Sequence, residues 1–267
     1  MNARGRHKNV VPRNSEGFTV VETIVAVFIS SILFCFALFV YNSYARMTHT
    51  QESQASLQQQ LMLVRGIMEK DVHMSGFNLP GNGVLPINYG LSDFKLVFLR
   101  NEYNKNTTLY SDANSGDSIL FVNDAQGVSA KQWMCLANNS DTICYHQISY
   151  VGLDASSGCD TIKLNSIISA SWDKSATKVH FAKGVYYDLP SSYGGAGKHL
   201  TRHSFEGDMP IGPLIDSIDY IPKDSSGVLT GNGYAQAQSI QITLGGCLKT
   251  SAANSRLVKT FDALIRN

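Results

Sequence analysis

The side chains able to do acid–base or nucleophilic chemistry are scattered along this chain. Its seven histidines are His7, His49, His73, His146, His180, His199 and His203, and none stands beside a Cys, Ser or carboxylate pattern that marks a triad. His199 and His203 have the i, i+4 spacing of a helical zinc pair. Leu200-Thr201-Arg202 between them reads as strand, however, where that interval separates two side chains by about 13 Å, so they read as surface polar groups. Tyr193-Gly194-Gly195-Ala196-Gly197-Lys198 shares part of a phosphate-loop pattern, but Ser192 stands where the first glycine is required and His199 where the final Ser/Thr belongs; a flexible loop is the reading. Asp112-Ala113-Asn114-Ser115-Gly116-Asp117 has the composition of a calcium loop, yet its glycine comes one position early and Asn123 replaces the bidentate Glu, which leaves a solvated turn. The expectation is a protein with no catalytic residue, cofactor or metal.

Cysteine usage fits an oxidising compartment. Cys35 lies in an apolar run as a small hydrophobic residue, and Cys135, Cys144, Cys159 and Cys247 follow it. Four cysteines allow two disulfides in three connectivities. The turn-like Asn138-Asn139-Ser140-Asp141 favours Cys135–Cys144, leaving Cys159–Cys247. Free thiols are the alternative, and the absence of a C-x-x-C pair argues against a metal.

One carboxylate stands out by its place. Residues 23–45 carry no charge, and Glu22 sits at their mouth. A charge at membrane depth costs about 2.5–3.5 kcal/mol even on the gentlest scales, so Glu22 needs a partner or a role. Before Gly17, Arg4, Arg6, Lys8 and Arg13 stand against the single acid Glu16. The basic excess of this chain, whose net charge is +1, is therefore confined to its start. Such a run crosses about 30 Å of hydrocarbon as a helix, with the basic flank cytoplasmic and the remainder exported. The exported part is slightly acidic, which gives no reason to expect nucleic-acid binding.

Three readings of this start compete. A removed signal peptide would use the small-x-small pattern Ser43-Tyr44-Ala45, although the apolar region exceeds the usual 7–15 residues. A plain signal anchor explains length and charge and leaves Glu22 without a role. In the third reading the chain is cut after Gly17, before the apolar run, and the run stays on the mature protein. Gly17-Phe18-Thr19-Val20-Val21-Glu22 followed by an uncharged helix resembles the N-terminal signature of type IV pilins and type II secretion pseudopilins. The resemblance implies a prepilin peptidase that cuts between Gly17 and Phe18 and methylates Phe18. It also implies that Glu22 neutralises the Phe18 amine of a neighbouring subunit, replacing an unpaired buried charge by a pair. Gly17, having no side chain, lets the backbone enter a narrow active site.

The elements that carry these residues follow from periodicity. Leu57, Leu61, Val64, Met68 and Val72 recur every three or four residues, so the helix continues past Arg46 with one apolar face. It stops near Gly76, a suitable left-handed cap, with Lys70 and His73 in the last turns and Pro80-Gly81 beyond. At 1.5 Å per residue such a helix is roughly 85 Å long. After Gly81, short apolar or alternating stretches predict strands at 94–100, 118–123, 143–151, 161–165, 178–188, 200–205, 215–221, 239–244 and 257–265. The fold class expected is α+β: one long helix packed on a mostly antiparallel sheet. The divisions expected are a leader over 1–17, a membrane or fibre-core half-helix over 18–45, an amphipathic half over 46–76 and an exported β-rich domain over 77–267.

The resemblance narrows further along. Asp71-Val72-His73-Met74-Ser75-Gly76-Phe77 is similar to the helix-end motif of PilW-type minor pilins, which usually have Arg where His73 stands. Val185-Tyr186-Tyr187, Leu200-Thr201-Arg202 and Ile215-Asp216-Ser217-Ile218-Asp219-Tyr220 resemble paired strands of those proteins and of J-type pseudopilins, and Phe261 to Arg266-Asn267 resembles the end of PilW-like chains. Residues 101–171 match nothing in that pattern. The implied function is a minor pilin that primes type IV pilus assembly near the fibre tip. Its implied partners are the prepilin peptidase, other minor pilins, the major pilin and the inner-membrane assembly platform. Two alternatives are kept: a J-type pseudopilin of a type II secretion system, and an anchored exported binding domain or enzyme.

Overall fold

The structure is a computed structural model that describes residues 19–88, 94–139, 142–154, 158–189, 199–228, 237–249 and 254–265. One helix, α1 (Val20–His73), opens it. Contacts divide the chain into two units, 1–52 and 53–267.

In the first unit the described residues are helical from Val20 onward, and almost every side chain is exposed, including Ile24, Phe28, Ile32, Phe36 and Phe39. A helix that is apolar all round has no face to give to a core and needs an apolar surrounding. This one is long and apolar enough to cross a membrane.

The second unit begins inside α1. Leu57, Leu61, Val64, Met68 and Val72 are all buried, as their spacing predicts. Among the described residues fourteen strands follow: β1 (Val84–Asn88), β2 (Phe94–Arg100), β3 (Asn106–Thr108), β4 (Ile119–Val122), β5 (Trp133–Asn138), β6 (Ile143–Gly152), β7 (Asp160–Leu164), β8 (Thr177–Asp188), β9 (Leu200–Ser204), β10 (Gly207–Gly212), β11 (Ile215–Asp224), β12 (Gly227–Val228), β13 (Ser239–Lys249) and β14 (Asn254–Leu264). The large sheet runs β1-β2-β8-β5-β6-β7-β4, with β3 and β9 also on β8 and β10 on β9; the small sheet runs β12-β11-β13-β14. Every pairing among the described residues is antiparallel.

The α+β class expected from the sequence is therefore present. Alternation places Ile240, Ile242 and Leu244 of β13 and Phe261 and Ala263 of β14 inward. With Leu96, Phe98, Val185 and Tyr187 of the large sheet they form one core around the helix stripe. A second core is built wholly within residues 109–181, from side chains such as Leu120, Val122, Met134, Leu136, Ile162 and Trp172. The segment 101–171, which matched no pilin pattern, therefore joins the large sheet through β8, whose Val179 and Phe181 share its core.

The helix end is fastened by backbone. Gly76 has φ +76°, as a left-handed cap requires, and its N–H donates to the Leu99 carbonyl at 2.8 Å. Gly83, at φ +65°, has no room for a Cβ, which would lie 2.4 Å from the Gly76 nitrogen and 2.5 Å from the Leu99 oxygen. Ser75 Oγ donates to the Asn82 carbonyl at 2.6 Å. The turn after α1 is thereby stitched to β2.

Candidate functional site

Gly17 and Phe18 lie outside the described residues. Glu22 lies inside them and has a local partner. Thr19 precedes the first helical residue, and its backbone N–H and hydroxyl donate to Glu22 Oε2 at 2.9 and 3.0 Å, while the Glu22 N–H donates to Thr19 Oγ1 at 3.3 Å. This is a reciprocal capping box: Thr at the N-cap and Glu three residues on satisfy two amides that the helix cannot. The sequence reading gives Glu22 a partner in a neighbouring subunit; the capping box adds one within the chain. The cap engages Oε2, so among the described residues Oε1 remains able to accept from a cation.

A buried charge cluster lies at the other end of α1, where Asp71 is 4% exposed. Its position, three residues after Met68, places a carboxylate in the buried stripe. The register of β8 with β9 sets Tyr187 directly opposite Arg202, and β2 ends on Arg100. Arg202 grips the carboxylate with two bonds, Nε to Oδ2 at 2.6 Å and Nη2 to Oδ1 at 3.0 Å. Arg100 Nη1 reaches Oδ1 at 3.2 Å, and the Tyr187 hydroxyl donates to Oδ2. Glu102 Oε1, 2.8 Å from Arg100 Nε, balances the second guanidinium. Bidentate, charge-assisted pairing of this kind is strong and geometrically specific, and here it ties α1 to three strands. Burial and the Asp71 charge hold the Tyr187 phenol far above its ordinary range, while the hydrogen bond to Asp71 holds Arg202 protonated. The cluster is a latch: both oxygens of the Asp71 carboxylate are engaged by Arg202, Arg100 and Tyr187.

Asp112 accepts the Lys174 N–H at 2.9 Å and Asp117 the Asn114 N–H at 2.7 Å, so Asp112 ties its loop to the segment before β8 and Asp117 braces its own turn. Among the described residues no three His, Cys, Asp or Glu side chains converge as a metal site would need. The glycine-rich stretch over 193–198 falls outside the described residues. His146 Nδ1 is 3.0 Å from Ser166 Oγ, a Ser–His contact, but among the described residues no carboxylate orients the ring. His203 departs from its expected place: it is half-buried, bonded through Nδ1 to Asp208 at 2.7 Å and stacked on Tyr186 at 4.6 Å.

The favoured Cys135–Cys144 disulfide is not made, and both thiols are free. Cys135 stands opposite Tyr145 and Cys144 opposite Leu136, a one-residue offset that turns the two side chains to opposite faces of the sheet. Cys144 packs with the second core and Tyr145 on the other side. Cys159 is half-buried; the side chain of Cys247, and with it the Cys159–Cys247 pairing, lies outside those described.

These buried groups give the domain a pH profile. Burial pushes the Cys135 thiol up to about 12 and raises the phenols of Tyr145, Tyr187 and Tyr220. Burial lowers His146 and His180. The unfolded thiol and phenols ionise from about pH 8.5–10 while the folded ones stay protonated, so stability falls as pH rises through that range. Unfolded histidines take up protons below about pH 6.5 while the folded ones resist, so stability also falls on the acid side. Thermal midpoints against pH are expected to form a plateau between about 6.5 and 8.5 with both flanks descending. A midpoint that rises from pH 9 to 11 would refute the alkaline assignment.

Compared with family models, curated proteins and solved structures, the chain matches none.

Proposed function

We propose that the protein is a minor pilin resembling the PilW type. It is cut after Gly17 by a prepilin peptidase, methylated on Phe18, and held in the inner membrane by α1 with the β-rich domain in the periplasm. It then joins other minor pilins on the assembly platform, ahead of the major pilin, to prime a type IV pilus, ending near the fibre tip. It performs no chemistry of its own. The observation that carries this reading is α1. A single helix, exposed and apolar along its first unit, becomes amphipathic and supplies the buried stripe of an antiparallel β-domain.

Glu22 then has two duties, and magnitudes rank them. Capping contributes typically about 1 kcal/mol, whereas an unpaired charge at membrane depth costs about 2.5–3.5 kcal/mol. Neutralisation by a neighbour's Phe18 amine therefore outweighs capping in a fibre core, and the free Oε1 allows it alongside the cap. Glu22→Gln separates the two, because Gln also completes a capping box but carries no charge. In a host whose fibres can be isolated, both Glu22→Ala and Glu22→Gln are expected to be processed yet poorly incorporated. Wild-type incorporation of Glu22→Gln would remove the charge role.

A further inference from the structure

The face of the large sheet turned away from α1 carries a cleft that the assembly reading leaves unused. On one edge of β8, β5 pairs as far as Ala182, opposite Trp133, and β9 takes over from Val185, opposite Ser204. Gly184 lies at the notch between them. It lies outside the left-handed region, so what the site uses is its missing side chain: a Cβ there would come within 2.6 Å of Trp133 Nε1 and 2.7 Å of Cδ1. The indole lies across bare backbone. The cleft holds about 510 Å³ and is lined by Trp133, Tyr186, His203 and Phe205, with Gln147, Asn165, Lys131 and Asp208 as its principal polar groups. That volume is in the range of small-molecule sites.

We propose that this cleft binds a neutral oligosaccharide. An aromatic face is the partner for the C–H face of a pyranose, since the negative quadrupole attracts the polarised hydrogens. Amides are the partners for its hydroxyls, having both donors and acceptors. Asn165 Nδ2 donates to Gln147 Oε1 at 2.8 Å, which fixes both amides in one orientation. Asp208 is held by His203, whose Nε2 has no partner among the described residues. One carboxylate and one ammonium stand at the rim, so the site has no excess charge with which to hold a phosphate or a polyanion.

Full chain in detergent is titrated with three neutral sugars, cellotriose, triacetylchitotriose and lactose, and with a heparin tetrasaccharide, by calorimetry and by tryptophan fluorescence. The chain has two tryptophans, and Trp172 is buried, so any change on binding reports Trp133. At least one sugar is expected to bind saturably. Trp133→Ala should weaken it at least about tenfold, in keeping with the weight an aromatic anchor carries, and Trp133→Phe should retain most of the affinity. Asn165→Ala and Asp208→Asn change exposed side chains and are expected to cost severalfold with thermal midpoints unchanged, which keeps the test open if Trp133→Ala fails to fold. Absence of saturable binding by all three sugars would overturn the proposal. So would binding of a heparin tetrasaccharide alone, or wild-type affinity in a folded Trp133→Ala or in both rim variants.

Discussion

Asp71→Ala is expected to lower the unfolding free energy by about 3–5 kcal/mol, the cost of removing one partner from a buried ion pair. The carboxylate accepts from Arg202 twice, from Arg100 and from Tyr187, and both guanidinium side chains are only 17% exposed. Without it two cations face each other beside a buried phenol, and Glu102 can balance one of them at most. In a domain of this size the thermal midpoint should drop on the order of 10 °C. Asp71→Asn keeps an acceptor but no charge and should fall between. The double variant Asp71→Ala/Arg202→Ala should lose much less than the sum of the single changes, because the second removes a charge that the first left stranded. Denaturant unfolding of the wild type, these variants and Arg202→Ala alone measures this, and a loss below about 1 kcal/mol for Asp71→Ala would show that the latch is dispensable.

Gly17→Glu is expected to abolish maturation. A scissile bond is cut only when the backbone on both sides lies flat in the peptidase, and glycine offers no side chain to collide there. Gly17→Ala, with one methyl group, should still be cut in part, whereas a glutamate side chain adds bulk and a charge at the membrane surface. Immunoblots of host membranes should show only precursor for the glutamate variant and a mixture for the alanine variant. Normal maturation of Gly17→Glu would contradict cleavage at this position.

What the sequence disclosed was what short-range periodicity can encode. The helix stripe from Leu57 to Val72, the left-handed Gly76 and the alternation in β13 and β14 follow from residues a few positions apart. β5 was missed because Trp133-Met134-Cys135-Leu136-Ala137 does not alternate; a strand covered on both faces has no polar side to show. β1, with Pro86 at a sheet edge, and β10, with Gly207, Pro210 and Gly212, carry little strand signal. The latch was out of reach for another reason: Asp71, Arg100, Tyr187 and Arg202 meet only through the register of β2, β8 and β9. Its one local trace was an acid three residues past Met68, inside an otherwise apolar stripe. The cysteine pairing failed on the same ground, since a turn brings two strands together without saying which side chains share a face.

The proposed function turns on the apolar helix being kept while the residues before it are removed. Intact-mass measurement and N-terminal sequencing of the protein purified from its host decide this. A mature chain beginning at N-methylated Phe18 is expected. A chain that retains Met1, or one that begins at Arg46 after loss of the apolar run, would contradict it.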